Sequence, residues 1–162
     1  MEIGKRRRLN RIFGKDSRAV IVPMDHGVSA GPLKGLVNMQ EIVNKLIVGG
    51  ADAIVVHKGI ANYVNTGNLG LIIHLSGSTM IGPDPNWKVQ VCNVQQALKL
   101  GADGISVHAN IGSVQESFML REMGLIADEA ADYGLPLLAM VYPRGPNIKS
   151  EHDVEYVKHA AR

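Results

Sequence analysis

The sequence has a single cysteine, Cys92, among its 162 residues. No internal disulfide can form, and such thiol economy suits a reducing compartment. No apolar run approaches the roughly 18 residues that a membrane-spanning helix needs, so no membrane partner is expected. No apolar stretch follows the first basic residues, which argues against a secretory leader. Glu2 and Asp16 are acidic residues of the kind that transit peptides lack. Together these absences predict a cytoplasmic protein. Excess charge is missing too: 17 Lys and Arg stand against 15 Asp and Glu, a net of +2. That balance is not the footprint of a nucleic-acid binder. The one basic cluster is Lys5-Arg6-Arg7-Arg8 with Arg11, Lys15 and Arg18. It reads as a solvated basic arm or helix over residues 1–18, with contact to RNA, a phosphate or an acidic partner as the alternative. Disorder is excluded by 46% hydrophobic residues and 20% charged ones.

Several chemical signatures are absent as well. No G-x-G-x-x-G dinucleotide fingerprint follows the first apolar run, and no G-x-x-x-x-G-K-[ST] phosphate loop occurs. No H-x-H or H-E-x-x-H pattern points to a metal, so neither a metal nor a cofactor is expected.

What is present is a set of five short apolar runs rich in β-branched residues. They cover 19–24, 53–56, 70–75, 104–108 and 135–142. Each is nearly continuous in apolarity, as strands buried on both faces of a parallel sheet are. Helical periodicity lies between most of them, over 38–48, 93–100, 113–133 and 151–162. Asn93 is placed to cap the second of these. Gly-Ala-Asp occurs twice, at 50–52 and 101–103. Each copy is positioned to end a helix on glycine and open a strand.

Strand-helix alternation with short links predicts an α/β fold with helices packed outside a parallel sheet. An open doubly wound sheet and a (β/α)8 TIM barrel both satisfy it. Spacing favours the barrel. The region 19–162 holds five strand-helix units of about 29 residues, and eight such units with the N-terminal arm reach the roughly 250 residues of a complete barrel. The expectation is an incomplete barrel, about the first five units.

Function in such folds gathers at the C-terminal ends of the strands. Here those ends read Asp25-His26-Gly27, His57-Lys58-Gly59, His74-Leu75-Ser76, His108-Ala109-Asn110 and Tyr142-Pro143-Arg144. Four of the six histidines fall there. Scattered loop histidines would not show this bias, so one polar pocket ringed by strand ends is expected. Asp25 reads as a general base in the mouth, or else as a helix cap or lysine partner. Tyr142 reads as catalytic, or else as core packing with a satisfied hydroxyl. Arg144 suits a phosphate or carboxylate through its planar fork, or a surface ion pair. Lys58 reads first as the ion-pair partner of Asp25 or another carboxylate, and second as an amine nucleophile. His57, His74 and His108 are expected to line the pocket through hydrogen bonds.

The run Val22-Pro-Met-Asp-His-Gly-Val-Ser-Ala-Gly-Pro-Leu-Lys-Gly-Leu36 resembles the first-strand signature of the archaeal-type class I aldolases, the fructose-bisphosphate aldolases and their relatives. Further similarity lies in His57-Lys-Gly-Ile60, Gly70-Leu-Ile-Ile-His-Leu-Ser-Gly77, Gly101-Ala-Asp-Gly-Ile-Ser-Val-His108 and Met140-Val-Tyr-Pro-Arg-Gly145. The resemblance runs from about Leu9 to Arg162 and spans about three-fifths of a family member. It implies a TIM barrel that works through a lysine Schiff base without metal or cofactor, as a homo-oligomer. The motifs lean toward the transaldolase-type branch. Its members join a fragment of a 6-deoxy-5-ketofructose phosphate to L-aspartate semialdehyde on an archaeal route to 3-dehydroquinate and the aromatic amino acids. A plain fructose-1,6-bisphosphate aldolase is the neighbouring alternative. By this resemblance Asp25 is the proton acceptor and Tyr142 the proton donor. His26, Gly27, Val28 and Ser29 match the substrate-binding turn after the first strand, and Pro143 and Arg144 the turn after the fifth. The family's Schiff-base lysine lies on the sixth barrel strand, in a run resembling Val-Lys-Thr, which the 162 residues do not contain. The expectation is therefore an N-terminal portion that is inactive alone, or a non-catalytic remnant completed by a partner chain.

Overall fold

The computed structural model describes residues 3–162. Five strands form one parallel sheet: β1 (Ile21–Pro23), β2 (Ala53–His57), β3 (Gly70–His74), β6 (Gly104–Ile111) and β7 (Leu137–Pro143), in that spatial order. Between them the chain forms α3 (Met39–Val48), α5 (Val94–Lys99), α6 (Glu116–Asp132) and, after β7, α7 (Val154–Ala161). Asn38 and Asn93 cap α3 and α5 by accepting from the Glu41 and Gln96 amides.

One face of the sheet carries Val22, Ile54, Val56, Leu71, Ile73, Ile105, Val107 and Leu137 against the helices. The other carries Ile21, Ala53, Val55, Ile72, Leu138 and Met140 around Ile12. Ile21 lies on one edge strand and Leu138 and Met140 on the other, yet they share a cluster. Only a sheet curled toward itself brings its edges together in this way, so the architecture is a curled parallel half-barrel. β2 and β3 are buried throughout, whereas β7 is only partly so. The fifth apolar run was expected to be buried on both faces. It is an edge strand, because no described strand pairs with its far side.

The basic segment is a helix, α1 (Ile3–Ile12), and part of it is built into the fold. Its last residue, Ile12, plugs the N-terminal mouth of the half-barrel. Gly70 makes that possible: a Cβ there would lie 2.8 Å from the Arg11 carbonyl oxygen and 3.1 Å from the Ile12 Cα. The Arg11 guanidinium pairs with Asp103, and Arg8 donates to the Gly134 carbonyl at 3.3 Å. A purely solvated arm is therefore corrected for these two arginines.

The two Gly-Ala-Asp copies perform one job. Gly50 and Gly101 take φ of +78° and +81° just past their helices. The aspartates then reach sideways, Asp52 accepting from the Val20 amide at 2.7 Å and Asp103 from the Leu71 amide at 3.0 Å. Each carboxylate pins the start of the neighbouring strand.

Three short elements have no counterpart among the expected ones. They are α2 (His26–Ala30), α4 (Lys58–Ala61) and an antiparallel pair, β4 (Ser76–Gly77) with β5 (Val89–Gln90). Each springs from the C-terminal end of a sheet strand. Among the described residues no helix is long and apolar enough to cross a membrane.

Candidate active site

Side chains alternate along a strand, so parity decides which of them enter the barrel. The interior set of odd or even positions runs Ile21, then Ala53 and Val55, then Ile72, then Leu138 and Met140. Continuing it to the C-terminal ends gives Asp25, His57, His74, Ser106, His108, Asn110 and Tyr142. Register carries the match across strands, with His57 opposite His74, His74 opposite Ser106 and Asn110 opposite Tyr142. Five of the residues expected in the pocket, Asp25, His57, His74, His108 and Tyr142, thus share one concave face.

Asp25 stands at the N-cap position of α2 but makes no capping bond with its side chain. Its carboxylate faces inward, 3.6 Å from His74 Nε2 and 3.8 Å from His26 Nδ1. Both separations exceed a direct hydrogen bond. His74 is buried, and its Nδ1 lies 2.7 Å from Ser106 Oγ. Its ring meets that of His57 edge-on, with centroids 5.2 Å apart. Burial holds His74 down to about 4, against the pull of the Asp25 carboxylate, with His57 and His108 adding to the depression. Burial lowers His57 as well, and Asp25 opposes it. Both rings are therefore neutral at pH 7. A neutral His74 offers one N–H, and the carboxylate favours it on Nε2, which leaves Nδ1 to accept the Ser106 hydroxyl.

His108 has a fixed tautomer. Asn110 Nδ2 donates to the Asn86 carbonyl at 2.7 Å, so its Oδ1 must accept. His108 Nε2 lies 2.8 Å from that oxygen and therefore carries the proton. Burial pushes His108 down to about 4, partly offset by the Asn110 bond. The His108 ring lies against Tyr142 at 4.8 Å between centroids. Arg144 covers Tyr142, its Cζ 4.6 Å from the ring centroid, while its Nε donates to Glu151 at 2.9 Å. The bend after β7 is tight: a Cβ on Gly145 would run into the Gly112 carbonyl, so only glycine fits there. Pro143 is buried at this bend, directly before Arg144.

The β4–β5 pair contributes Lys88, which no pattern in the sequence singles out. Lys88 Nζ donates to Ser78 Oγ at 2.6 Å. Burial lowers its pKa, and the charge of Arg144 lowers it further, while Asp25 and Asp84 oppose both. Asn86 is likewise legible as a site residue only from the structure. Ser106 had one usable signal, its even spacing from His108 within a single strand.

Two candidates turn elsewhere. The Lys58 ammonium donates to the Val91 carbonyl at 2.6 Å, and among the described residues it has no carboxylate partner. The expected Asp25–Lys58 ion pair is corrected: Lys58 begins α4, one residue past the interior position of His57, and so leaves the concave face. His26 is largely exposed. His26, Gly27, Val28 and Ser29 lie on a turn of helix rather than an open loop. Asp25, Gly27, Val28, His57 and Lys58 border an apolar cavity of about 620 Å³, walled by Leu33, Leu36 and Met39. Among the described residues no group of three His, Cys, Asp or Glu has the geometry to hold a metal ion.

Comparison with known proteins places this arrangement. The chain is 45% identical to 2-amino-3,7-dideoxy-D-threo-hept-6-ulosonate synthase 1 of Archaeoglobus fulgidus, over 99% of its own length and 60% of that protein. It is 40% identical to the synthase of the same name from Halobacterium salinarum, over 99% of its length and 61% of the relative. The chain thus spans about three-fifths of the curated relatives it matches. The structure of a Schiff-base-forming fructose-1,6-bisphosphate aldolase superposes with a TM-score of 0.89 at 29% identity, covering 97% of this chain and 65% of that one. The profile of the DeoC/LacD family aldolases matches residues 19–162. The chain belongs to the DeoC/LacD aldolase family.

Proposed function

We propose that this chain carries the acid-base portion of a transaldol site. In the reaction we assign, a fragment of a 6-deoxy-5-ketofructose phosphate is joined to L-aspartate semialdehyde, giving 2-amino-3,7-dideoxy-D-threo-hept-6-ulosonate. The observation that carries the reading is the shared concave face of Asp25 and Tyr142, where Asp25 faces the His74–Ser106 pair and Tyr142 lies against the His108–Asn110 pair. The names of the synthase relatives support the choice of substrates.

Aldol chemistry beside a ketone needs an electron sink, and a protonated imine on a lysine supplies one. Asp25 is the proton acceptor. Its carboxylate receives the proton that leaves the donor as the carbon–carbon bond rearranges. Tyr142 is the proton donor, giving its hydroxyl proton to the aldehyde oxygen as that oxygen becomes an alcohol. The neutral rings of His57, His74 and His108 keep the mouth polar without adding cations that would tie up Asp25. His26, Gly27, Val28 and Ser29 hold substrate on the Asp25 side, and Pro143 and Arg144 hold it on the Tyr142 side.

The imine lysine is not among these side chains. The Lys58 ammonium donates to the Val91 carbonyl, and no Val-Lys-Thr run occurs in the 162 residues. We therefore assign the nucleophile to a sixth barrel strand and expect the 162-residue polypeptide alone to be inactive. Borohydride trapping with the ketose phosphate tests this: no adduct is expected, and a covalent adduct on the isolated chain contradicts it. The structural likeness to a fructose-1,6-bisphosphate aldolase favours a second reading, cleavage of that sugar. The edges of β1 and β7, which pair with no further strand among the described residues, favour a third, a remnant completed by another polypeptide. Parallel assays of semialdehyde transfer and fructose-bisphosphate cleavage separate the first two. Size-exclusion chromatography showing a stable complex with a complementary chain identifies the third.

A further inference from the structure

We propose that His108 is a specificity-determining residue, whose Nδ1 accepts a hydrogen bond from a hydroxyl group of the sugar substrate. The choice of a sugar rests on the transaldol reading; the preset acceptor rests on geometry.

The structure holds His108 by its backbone and by its ring. The backbone amide donates to Ser76 Oγ at 3.1 Å, which ties the end of β6 to β4. The ring Nε2 donates to Asn110 Oδ1 at 2.8 Å. Asn110 is fully buried, and a buried amide is costly unless its polar atoms are paired. The Asn86 carbonyl can only accept, so it takes the Asn110 Nδ2 and turns Oδ1 toward the ring. The opposite amide orientation would set oxygen against oxygen. His108 therefore keeps one tautomer, with the proton on Nε2 and a bare lone pair on Nδ1.

That lone pair has no partner among the described residues. It is not sealed inside the protein either. Every buried side-chain nitrogen or oxygen among the described residues has a partner, so an unpartnered Nδ1 is open to solvent. His74 differs, since Ser106 occupies its Nδ1 and its Nε2 faces Asp25. A histidine that served only as packing would need neither the buried asparagine nor the carbonyl behind it. The chain from Asn86 through Asn110 has one outcome, an acceptor of fixed direction on the concave face. Burial keeps that acceptor neutral at pH 7.

What it accepts follows from its neighbours. The His108 ring lies against Tyr142, with centroids 4.8 Å apart. A substrate whose carbonyl oxygen meets the Tyr142 hydroxyl brings its adjoining carbons to His108. The donor there is a hydroxyl or an ammonium. Arg144 covers the same Tyr142 ring at 4.6 Å, and a second cation beside it is repelled. A hydroxyl brings no charge. Substrates with a hydroxyl beside the carbonyl are therefore favoured over deoxy analogues, which leave Nδ1 desolvated with nothing to accept.

Nitrogen NMR of the imidazole rings in the 162-residue chain reads this site directly. The chain is titrated at constant ionic strength with D-fructose 6-phosphate, with inorganic phosphate and with ethylammonium chloride. The expected result is the Nε2–H tautomer in the free chain and a saturable, hydrogen-bond-like shift of Nδ1 with the sugar phosphate alone. His108→Gln keeps an N–H for Asn110 but has no acceptor at Nδ1, and sugar binding should weaken about fivefold or more. His108→Asn places an amide oxygen where Nδ1 stands and should keep binding within about threefold. Should His108→Gln fail to fold by circular dichroism, Asn110→Ala takes its place, because it frees Nε2, lets the tautomer invert and should cause the same loss. An Nδ1–H tautomer, no saturable shift, a response equal to that of inorganic phosphate, or unchanged affinity in His108→Gln overturns the acceptor. A stronger response to ethylammonium overturns the hydroxyl assignment. None of these outcomes touches the trapping and transfer assays, so failure of the acceptor and failure of the transaldol reading are told apart.

Discussion

His74 offers one ring nitrogen to Ser106 Oγ at 2.7 Å and the other to the Asp25 carboxylate at 3.6 Å. The carboxylate favours the proton on Nε2, and the buried serine then donates to the bare Nδ1. Replacing Ser106 by alanine strands His74 Nδ1 in a buried site. An unsatisfied buried acceptor costs about 1–3 kcal/mol. Urea denaturation of Ser106→Ala should show that loss, whereas an unchanged midpoint would mean the serine does not bind the ring.

Stability should depend on pH between the ordinary histidine value of 6.5 and about 4. His74 and His108 are both held down to about 4, chiefly by burial, and His57 is lowered for the same reason. In that window the unfolded chain binds protons that the folded chain refuses. Stability is therefore full above pH 6.5, falls as pH drops through the window, and stops falling on this account below about 4. Burying His74 and His108 as neutral rings thus makes part of the stability depend on pH in this range. Thermal melts at pH 7.5, 6, 5 and 4, chosen on the order of these pKa values, should show a steady decline. A flat profile would contradict neutral burial.

Gly70→Ala should destabilise the half-barrel by about 1–3 kcal/mol, the usual cost of forcing extra volume into a packed core. The added methyl would meet the backbone of Arg11 and Ile12. Removing α1 together with the substitution separates the causes. The alanine penalty should shrink when the helix is absent, and a penalty that persists unchanged would place the clash elsewhere.

The legible part of this protein lies in its strands. Five apolar runs mark five parallel strands, and period-2 alternation along them puts Asp25, His57, His74, His108 and Tyr142 on one face. That alternation is local, which is why one sequence carries it. Lys88 was invisible because its place depends on β4 pairing with β5 and on Asn110 holding Asn86, contacts between distant residues. Lys58 misled for a related reason. Its strand ends at His57, and one further residue of helix turns it off the concave face. The basic N-terminal segment suggested solvation because charge dominates its composition, whereas one apolar residue at its end, Ile12, decides where it packs.

The central claim is that Asp25 and Tyr142 serve one transaldol reaction whose lysine lies beyond the fifth barrel strand. The most direct measurement uses a hybrid in which residues 1–162 are followed by the remaining two-fifths of the Archaeoglobus fulgidus synthase. Transfer to L-aspartate semialdehyde is assayed in this hybrid and in its Asp25→Asn and Tyr142→Phe forms. The account predicts activity in the hybrid and a loss of about 10²–10⁴-fold in each variant, the range of a general acid or base. A hybrid that transfers equally well without the carboxylate or the phenol would contradict it.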